Sequence, residues 1–214
     1  MINIKYKNQF GSEISASQLK GLEVYEKILY DFDRIKQKEL IENVNGNIYH
    51  SIKYFVTTIE KKESILSQLS ETKVYSSVTI YFNKEAMGDL VLWDYEVYNK
   101  GTTLKIKGKE VIDEKDRTIM SCTFDISTGA VKDQGIKNYY NEKIGASEFP
   151  MLRFTYNSNG VLDRIFDVQE IFGFVKSIPL KDFLTDIELA EELFPWNEHS
   201  YYHALLPFLP SGPL

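Results

Sequence analysis

The sequence predicts an α+β fold: an antiparallel β-meander sheet packed with N-terminal and C-terminal helices. Three observations predict it. Apolar residues recur at helical spacing near both ends of the chain, and short Tyr-, Phe-, Val- and Thr-rich runs separated by turn residues fill the middle. From residue 73 onward these runs follow one another too closely for βαβ crossovers, which need about a dozen residues or more. At 214 residues the chain suits one domain. It divides into a mixed helix/strand part over 1–72, the meander over 73–168, and an acidic aromatic helix and tail over 169–214.

Met1 to Phe10 reads as a first strand, because it lacks the apolar core and cleavage site of a secretory signal. Ser15-Ala16-Ser17-Gln18 has the spacing of a capping box. Leu22, Tyr25, Leu29, Phe32 and Lys36 then recur at helical spacing to about residue 40 and predict the N-terminal helix, with Gly21 against it. Asn45-Gly46 is a turn dipeptide, and Ile48 to Thr58 is rich in strand formers. Glu60 to Ser70, with Ile65, Leu66 and Leu69 on one side, predicts a short helix. Strands are then expected over Val74 to Phe82, Leu90 to Tyr98, Thr102 to Lys109, Arg117 to Asp125, Met151 to Tyr156 and Val161 to Val168.

Near the C-terminus, Pro179 suits a first helical turn, and Leu180, Phe183, Leu184, Ile187, Ala190 and Phe194 share a helical face. In one continuous helix Glu191 and Glu192 fall in the last turn. There the helix dipole disfavours acids, so local stability does not explain them. Leu189 and Leu193 project from the acidic side as a second apolar stripe.

The single cysteine, Cys122, rules out an intramolecular disulfide, and strand alternation groups it with Met120 and Phe124 as a buried thiol. No apolar run reaches the roughly eighteen residues of a membrane helix, so no membrane partner is expected and the cytoplasm is the expected location. The formal charge of −6 is not evenly spread: residues 166–214 hold two lysines against eight carboxylates, and the rest of the chain balances. Nucleic acid is a poor partner for such a tail, and a basic protein surface a good one. A phosphate-binding glycine loop and a Gly-x-Ser-x-Gly elbow are both missing from the sequence, and no cofactor is expected.

A weak repeat runs through the meander. Ile112-Asp113-Glu114-Lys115, Phe124-Asp125-Ile126-Ser127-Thr128-Gly129, Tyr140-Asn141-Glu142-Lys143-Ile144-Gly145 and Tyr156-Asn157-Ser158-Asn159-Gly160 each set Asp or Asn behind a large apolar residue, and three reach Gly. The apolar residue ends a strand, Asx begins the turn, and Gly supplies the positive φ. Over about residues 111–165 this pattern resembles the hairpin repeats of bacterial YD-repeat and MORN-like proteins, a style found in immunity and antitoxin proteins.

Charge and resemblance together lead to a non-enzymatic protein-binding domain. The resemblance implies an immunity protein that neutralises a cognate bacterial toxin. Asp182, Asp186, Glu188, Glu191 and Glu192 would steer a basic partner, possibly a toxin domain, and Trp196, Tyr201 and Tyr202 would anchor it. The competing reading folds the tail over Leu189 and Leu193 and leaves the acids as a solvated face. A different function class is a metal-dependent enzyme acting on nucleic acid or a small polar substrate. In it Asp94 and Glu96 share a strand face and meet Lys105, Lys107 and Lys109 of the next strand, with Lys107 in the reacting set. An ordinary cross-strand charge ladder explains the same residues. His199 and His203, four apart, could take zinc with Glu198 or Glu192 if a helix carried them. A third class is a structural subunit that self-associates through the aromatic tail.

Overall fold

The computed structural model describes residues 2–32, 34–56, 59–72, 75–99, 103–132, 135–145, 148–174 and 177–211, with the side chains of 59–60 and 69–72 left out. Met1, Thr58, Val74, Thr102 and the side chains of Glu60, Leu69 and Ser70, named above, lie outside the described residues.

The strands are β1 (Ile2–Asn8), β2 (Glu13–Ile14), β3 (Val24–Asp31), β4 (Arg34–Val44), β5 (Asn47–Phe55), β6 (Ser77–Met87), β7 (Leu90–Asn99), β8 (Thr103–Ile112), β9 (Thr118–Phe124), β10 (Gly135–Tyr139), β11 (Leu152–Tyr156) and β12 (Leu162–Asp167). Three α-helices are described: α1 (Ile59–Thr72), α2 (Leu180–Asp186) and α3 (Ala190–Leu193). Hydrogen-bonded neighbours follow the order β12-β11-β10-β9-β8-β7-β6-β5-β4-β3-β1-β2 in a single sheet. The architecture is thus a predominantly antiparallel sheet with short helices, which corrects the expected α+β arrangement with helices at both ends.

The N-terminal helix is replaced by the β3–β4 hairpin. Leu22, Tyr25, Leu29 and Phe32 fit a helical period, but the same stretch alternates, and β3 pairs on both edges, with β1 and with β4. Long-range pairing overrides the local period. Ile28 is thereby buried, and Phe32 lies in the turn between Asp31 and Arg34 with φ +56°. The Ser15 capping box closes only a 3-10 turn over Ala16–Leu19, where the Gln18 side-chain oxygen accepts the Ser15 N–H at 2.8 Å. Gly21, at φ +94°, follows it.

One crossover interrupts the antiparallel order. β5 and β6 pair in parallel, Ser51 opposite Ser77 and Tyr54 opposite Ile80, with α1 as the connection. The expected strand, helix and next strand all exist; they form a βαβ unit.

The C-terminal helix breaks. Ile187 is extended (φ −100°, ψ 105°), so α2 ends at Asp186 and α3 begins at Ala190. A continuous helix would hold Phe183 and Phe194 about 16 Å apart along its axis. The break brings their ring centroids to 6.4 Å, edge to face, and both rings are fully buried. Glu191 and Glu192 consequently lie in the first turn of α3, where acids are favoured. Their expected placement, in the last turn of one continuous helix, therefore does not hold.

The chain forms two compact units, residues 1–84 with 94–107, and residues 85–93 with 108–214. In the first, Ile52, Val56, Val78, Ile80, Phe82 and Tyr98 form a core against which Ile65 and Leu66 of α1 pack. In the second, Met151, Leu152, Phe154 and Tyr156 of the β11 region pack with Phe183, Phe194, Tyr202 and Leu205. Cys122 is buried there as expected, and burial pushes its thiol up to about 11.

The four repeated turns share one device. The side-chain oxygen at Asp113, Asp125, Asn141 and Asn157 accepts the backbone N–H two residues on, at 3.0–3.1 Å. Gly129 and Gly160 take positive φ, as does Asp116 in the copy without glycine. Gly145 does not need that freedom; a Cβ there would lie 2.8 Å from Gln169 Oε1 and require the end of that side chain to shift.

Candidate functional site

The acidic C-terminal surface is built from α2, α3 and the turns around them. α2 packs on β12 and on α3. Phe183 and Ala190 face inward, and Asp186, Glu188, Glu191 and Glu192 are exposed, while Asp182 is half-buried. Among the described residues none of these five carboxylates forms an ion pair with a lysine or arginine, although Asp186 accepts a hydrogen bond from Thr185 Oγ1 at 2.9 Å. Leu184 and Leu189 stand among them at 44% and 40% exposure. Sequence reasoning assigned Leu184 to the packed face, but in α2 Phe183 takes the buried position and Leu184 is exposed.

The expected aromatic anchors are used differently. Tyr201 and Tyr202 are 8% and 1% exposed and belong to the core of the second unit. Tyr201 donates its hydroxyl to Phe208 O at 2.6 Å, and Tyr156 donates to Tyr202 O at 2.8 Å. Burial pushes all three phenols above their ordinary range. These rings cannot reach a partner while the tail is folded in. Trp196 is half-buried, packed near Phe194 and stacked on the His203 ring at 4.1 Å. The tail therefore packs into the core and leaves the acids outside it, but it does not cover Leu189, over which the competing reading folded it.

What holds the tail is Lys137 on β10, which sequence reasoning missed along with its strand. Its side chain is fully buried. Its Nζ donates to the carbonyls of Tyr201, Ala204 and Pro207 at 2.6, 2.8 and 3.0 Å, over the Tyr201 ring. Burial pulls its pKa down to about 7.

The histidines do not assemble a metal site. His199 stacks on Phe194 with ring centroids 4.3 Å apart, and His203 turns to Trp196. Among the described residues no group of three or more His, Cys, Asp or Glu side chains could hold a metal ion.

The Asp94, Glu96 and Lys107 constellation is only partly assembled. Glu96 is buried rather than lying on an exposed ladder. Its Oε2 accepts from Lys62 of α1 at 2.9 Å and from the Tyr98 hydroxyl, and Lys107 Nζ lies 3.5 Å from Oε1. Burial pushes this carboxyl up, but the Tyr98 and Lys62 hydrogen bonds and the two ammonium charges outweigh it, holding its pKa below the ordinary value. Asp94 instead accepts from Asn83 Nδ2 at 2.8 Å. Lys105 is exposed, and Lys109 belongs to the second unit, near the Phe208 ring. Glu96 is thus surrounded by protein cations, an arrangement that fixes α1 to β7.

A cavity of about 600 Å³ opens in the second unit beside the β8–β9 turn. Arg117 forms its wall, paired to Asp113 at 2.7 Å and to Glu142 at 2.9 Å, and lies 4.4 Å from the Tyr140 ring centroid. Lys115 also pairs with Glu142. Two of the repeated Asx turns supply these groups, so the motif was legible and the cavity was not.

Among the described residues no helix is long and apolar enough to cross a membrane. No protein-family model matches the chain, nor does any curated protein. Among solved structures the chain is similar to a LolA superfamily protein from Nitrosomonas europaea, at 10% identity and a TM-score of 0.29, over 73% of this chain and 76% of that one. At that distance neither fold nor activity transfers to this protein.

Proposed function

We propose that this chain is a non-enzymatic binding protein that meets a basic protein partner through its acidic C-terminal surface. One observation carries the reading: Asp186, Glu188, Glu191 and Glu192 are exposed and unpaired among the described residues, on a segment whose other side is locked into the core. The second unit holds 10 basic and 19 acidic side chains in all, so its negative potential is not cancelled from within. Such a potential speeds encounter with a cationic surface. Leu184 and Leu189 give the apolar contact that charge alone lacks, in place of the buried tyrosines. The resemblance to hairpin-repeat antitoxins supports the specific form, an immunity protein that covers a bacterial toxin.

The test compares wild type with the D186K/E188K/E192K variant. The partner is captured from native lysate with wild type, identified, and its association rate followed at several salt concentrations. The variant should bind at least tenfold more slowly and lose salt dependence, with an unchanged thermal midpoint. A captured protein that is toxic when expressed alone supports the immunity reading. Equal on-rates for the two proteins would remove the acidic surface from the interaction.

A further inference from the structure

The cavity beside the β8–β9 turn has a composition that selects a ligand. Its apolar floor and walls come from Met87, Leu90, Ile119, Tyr139 and Tyr140. Asp89, Asp113, Glu114 and Glu142 line it against only Lys115 and Arg117. Both cations are already matched, Arg117 by Asp113 and Glu142, and Lys115 by Glu142. What is left over is negative: Asp89 and Glu114, both exposed. At about 600 Å³ the space is several times what one side chain needs and falls in the range of ligand-binding clefts. It opens in the unit that holds the excess of acids.

We propose that this cavity binds a short extended peptide segment carrying lysine or arginine, with its aliphatic stems against Leu90 and Tyr139 and its cationic heads at Asp89 and Glu114. Long basic side chains suit such a site because they bury their methylenes and keep the charge at a wet, acidic mouth. Asn138, which also lines the cavity, is buried, its Nδ2 donating to Thr118 O at 2.8 Å and its Oδ1 accepting from Arg153 at 3.0 Å. These two bonds stiffen the wall. The inference rests on the proposed function in one respect: the peptide would be a loop of the same basic partner, entering a second contact apart from Asp186, Glu188 and Glu192.

The probe is the acetylated and amidated tetrapeptide Ala-Lys-Arg-Ala, titrated into the full chain and followed by amide NMR shifts, with Ala-Glu-Asp-Ala as the control. Saturable shifts should centre on Asn138, Tyr139, Tyr140 and residues 87–90. The D89N/E114Q variant should weaken binding about tenfold, as loss of two exposed charge contacts implies. The D186K/E188K/E192K variant should bind the tetrapeptide as wild type does, which separates this site from the C-terminal surface. Absence of shifts at the cavity, equal binding of the acidic peptide, or indifference to D89N/E114Q would each overturn the proposal.

Discussion

The Nζ of Lys137 lies 2.6 Å from the carbonyl oxygen of Tyr201, a lysine of β10 holding the main chain of the C-terminal tail without any carboxylate between them. Two further carbonyls complete the cage, so the amine has a backbone oxygen for each of the three protons it carries when protonated. Substitution Lys137→Met keeps the stem and strands those oxygens, and should cost about 3 kcal/mol, read from urea midpoints at pH 7.

The same lysine sets a pH dependence. Its folded pKa of about 7 lies well below the unfolded value of about 10.4. Between those values the unfolded chain binds the extra proton, so stability should rise as pH climbs from about 7 toward 10. Wild-type urea midpoints should increase between pH 7 and 9.5, and those of Lys137→Met should be flat over that range.

Glu96 gives a slope of the same sign in the acid range, where stability again rises with pH. Its folded pKa is held below the ordinary carboxyl value, so its contribution is complete above about pH 4.3 and disappears as pH falls through the folded value. Glu96→Gln should flatten the acid limb of the stability curve. Removing the carboxylate altogether in Glu96→Ala leaves Lys62 buried without its partner, at a cost of about 3–5 kcal/mol. Thermal melts between pH 3 and 7 measure both.

Gly135 is pinned by the tail. A Cβ at this position would lie 2.6 Å from Leu205 Cδ1 and 2.8 Å from Cδ2, and Leu205 is itself fully buried. Gly135→Ala should destabilise by about 1–3 kcal/mol through overpacking. The double variant with Leu205→Ala should lose less than the sum of the two single changes, a coupling that urea denaturation can resolve.

Cys122 should be inert in the folded chain. With its thiol pushed up to about 11, only about one molecule in a thousand carries a thiolate at pH 8, and that sulfur has no solvent access. A maleimide probe at pH 8 should label it only once denaturant opens the second unit.

How much of this was legible follows from which forces acted locally. The strands after residue 73 were readable because Asp and Asn turn chemistry is written in adjacent residues, and Asp113, Asp125, Asn141 and Asn157 all do what their neighbours require. The N-terminal helix failed because Tyr25 and Leu29 satisfy two periods at once, and only partners on both edges of β3 decide between them. β10 went unseen since Gly135-Ile136-Lys137-Asn138-Tyr139 hides a buried lysine whose acceptors lie more than sixty residues ahead. For the surface, exposure of Asp186, Glu188, Glu191 and Glu192 matched the pattern, whereas Tyr201 and Tyr202 were read as anchors because sequence cannot tell a ring that grips a partner from one that closes its own core.

The parallel joint between β5 and β6 has a kinetic consequence. The other described pairings link strands consecutive in sequence, or β1 with β3 across a two-residue strand. Those loops close cheaply and early, one reversal after the next. The connection through α1 must instead return the chain to Ser51 before β6 can dock in register. That return passage is expected to be slower than the hairpin closures in the first unit, so lengthening or stiffening α1 should be felt in the refolding rate before it is felt in stability.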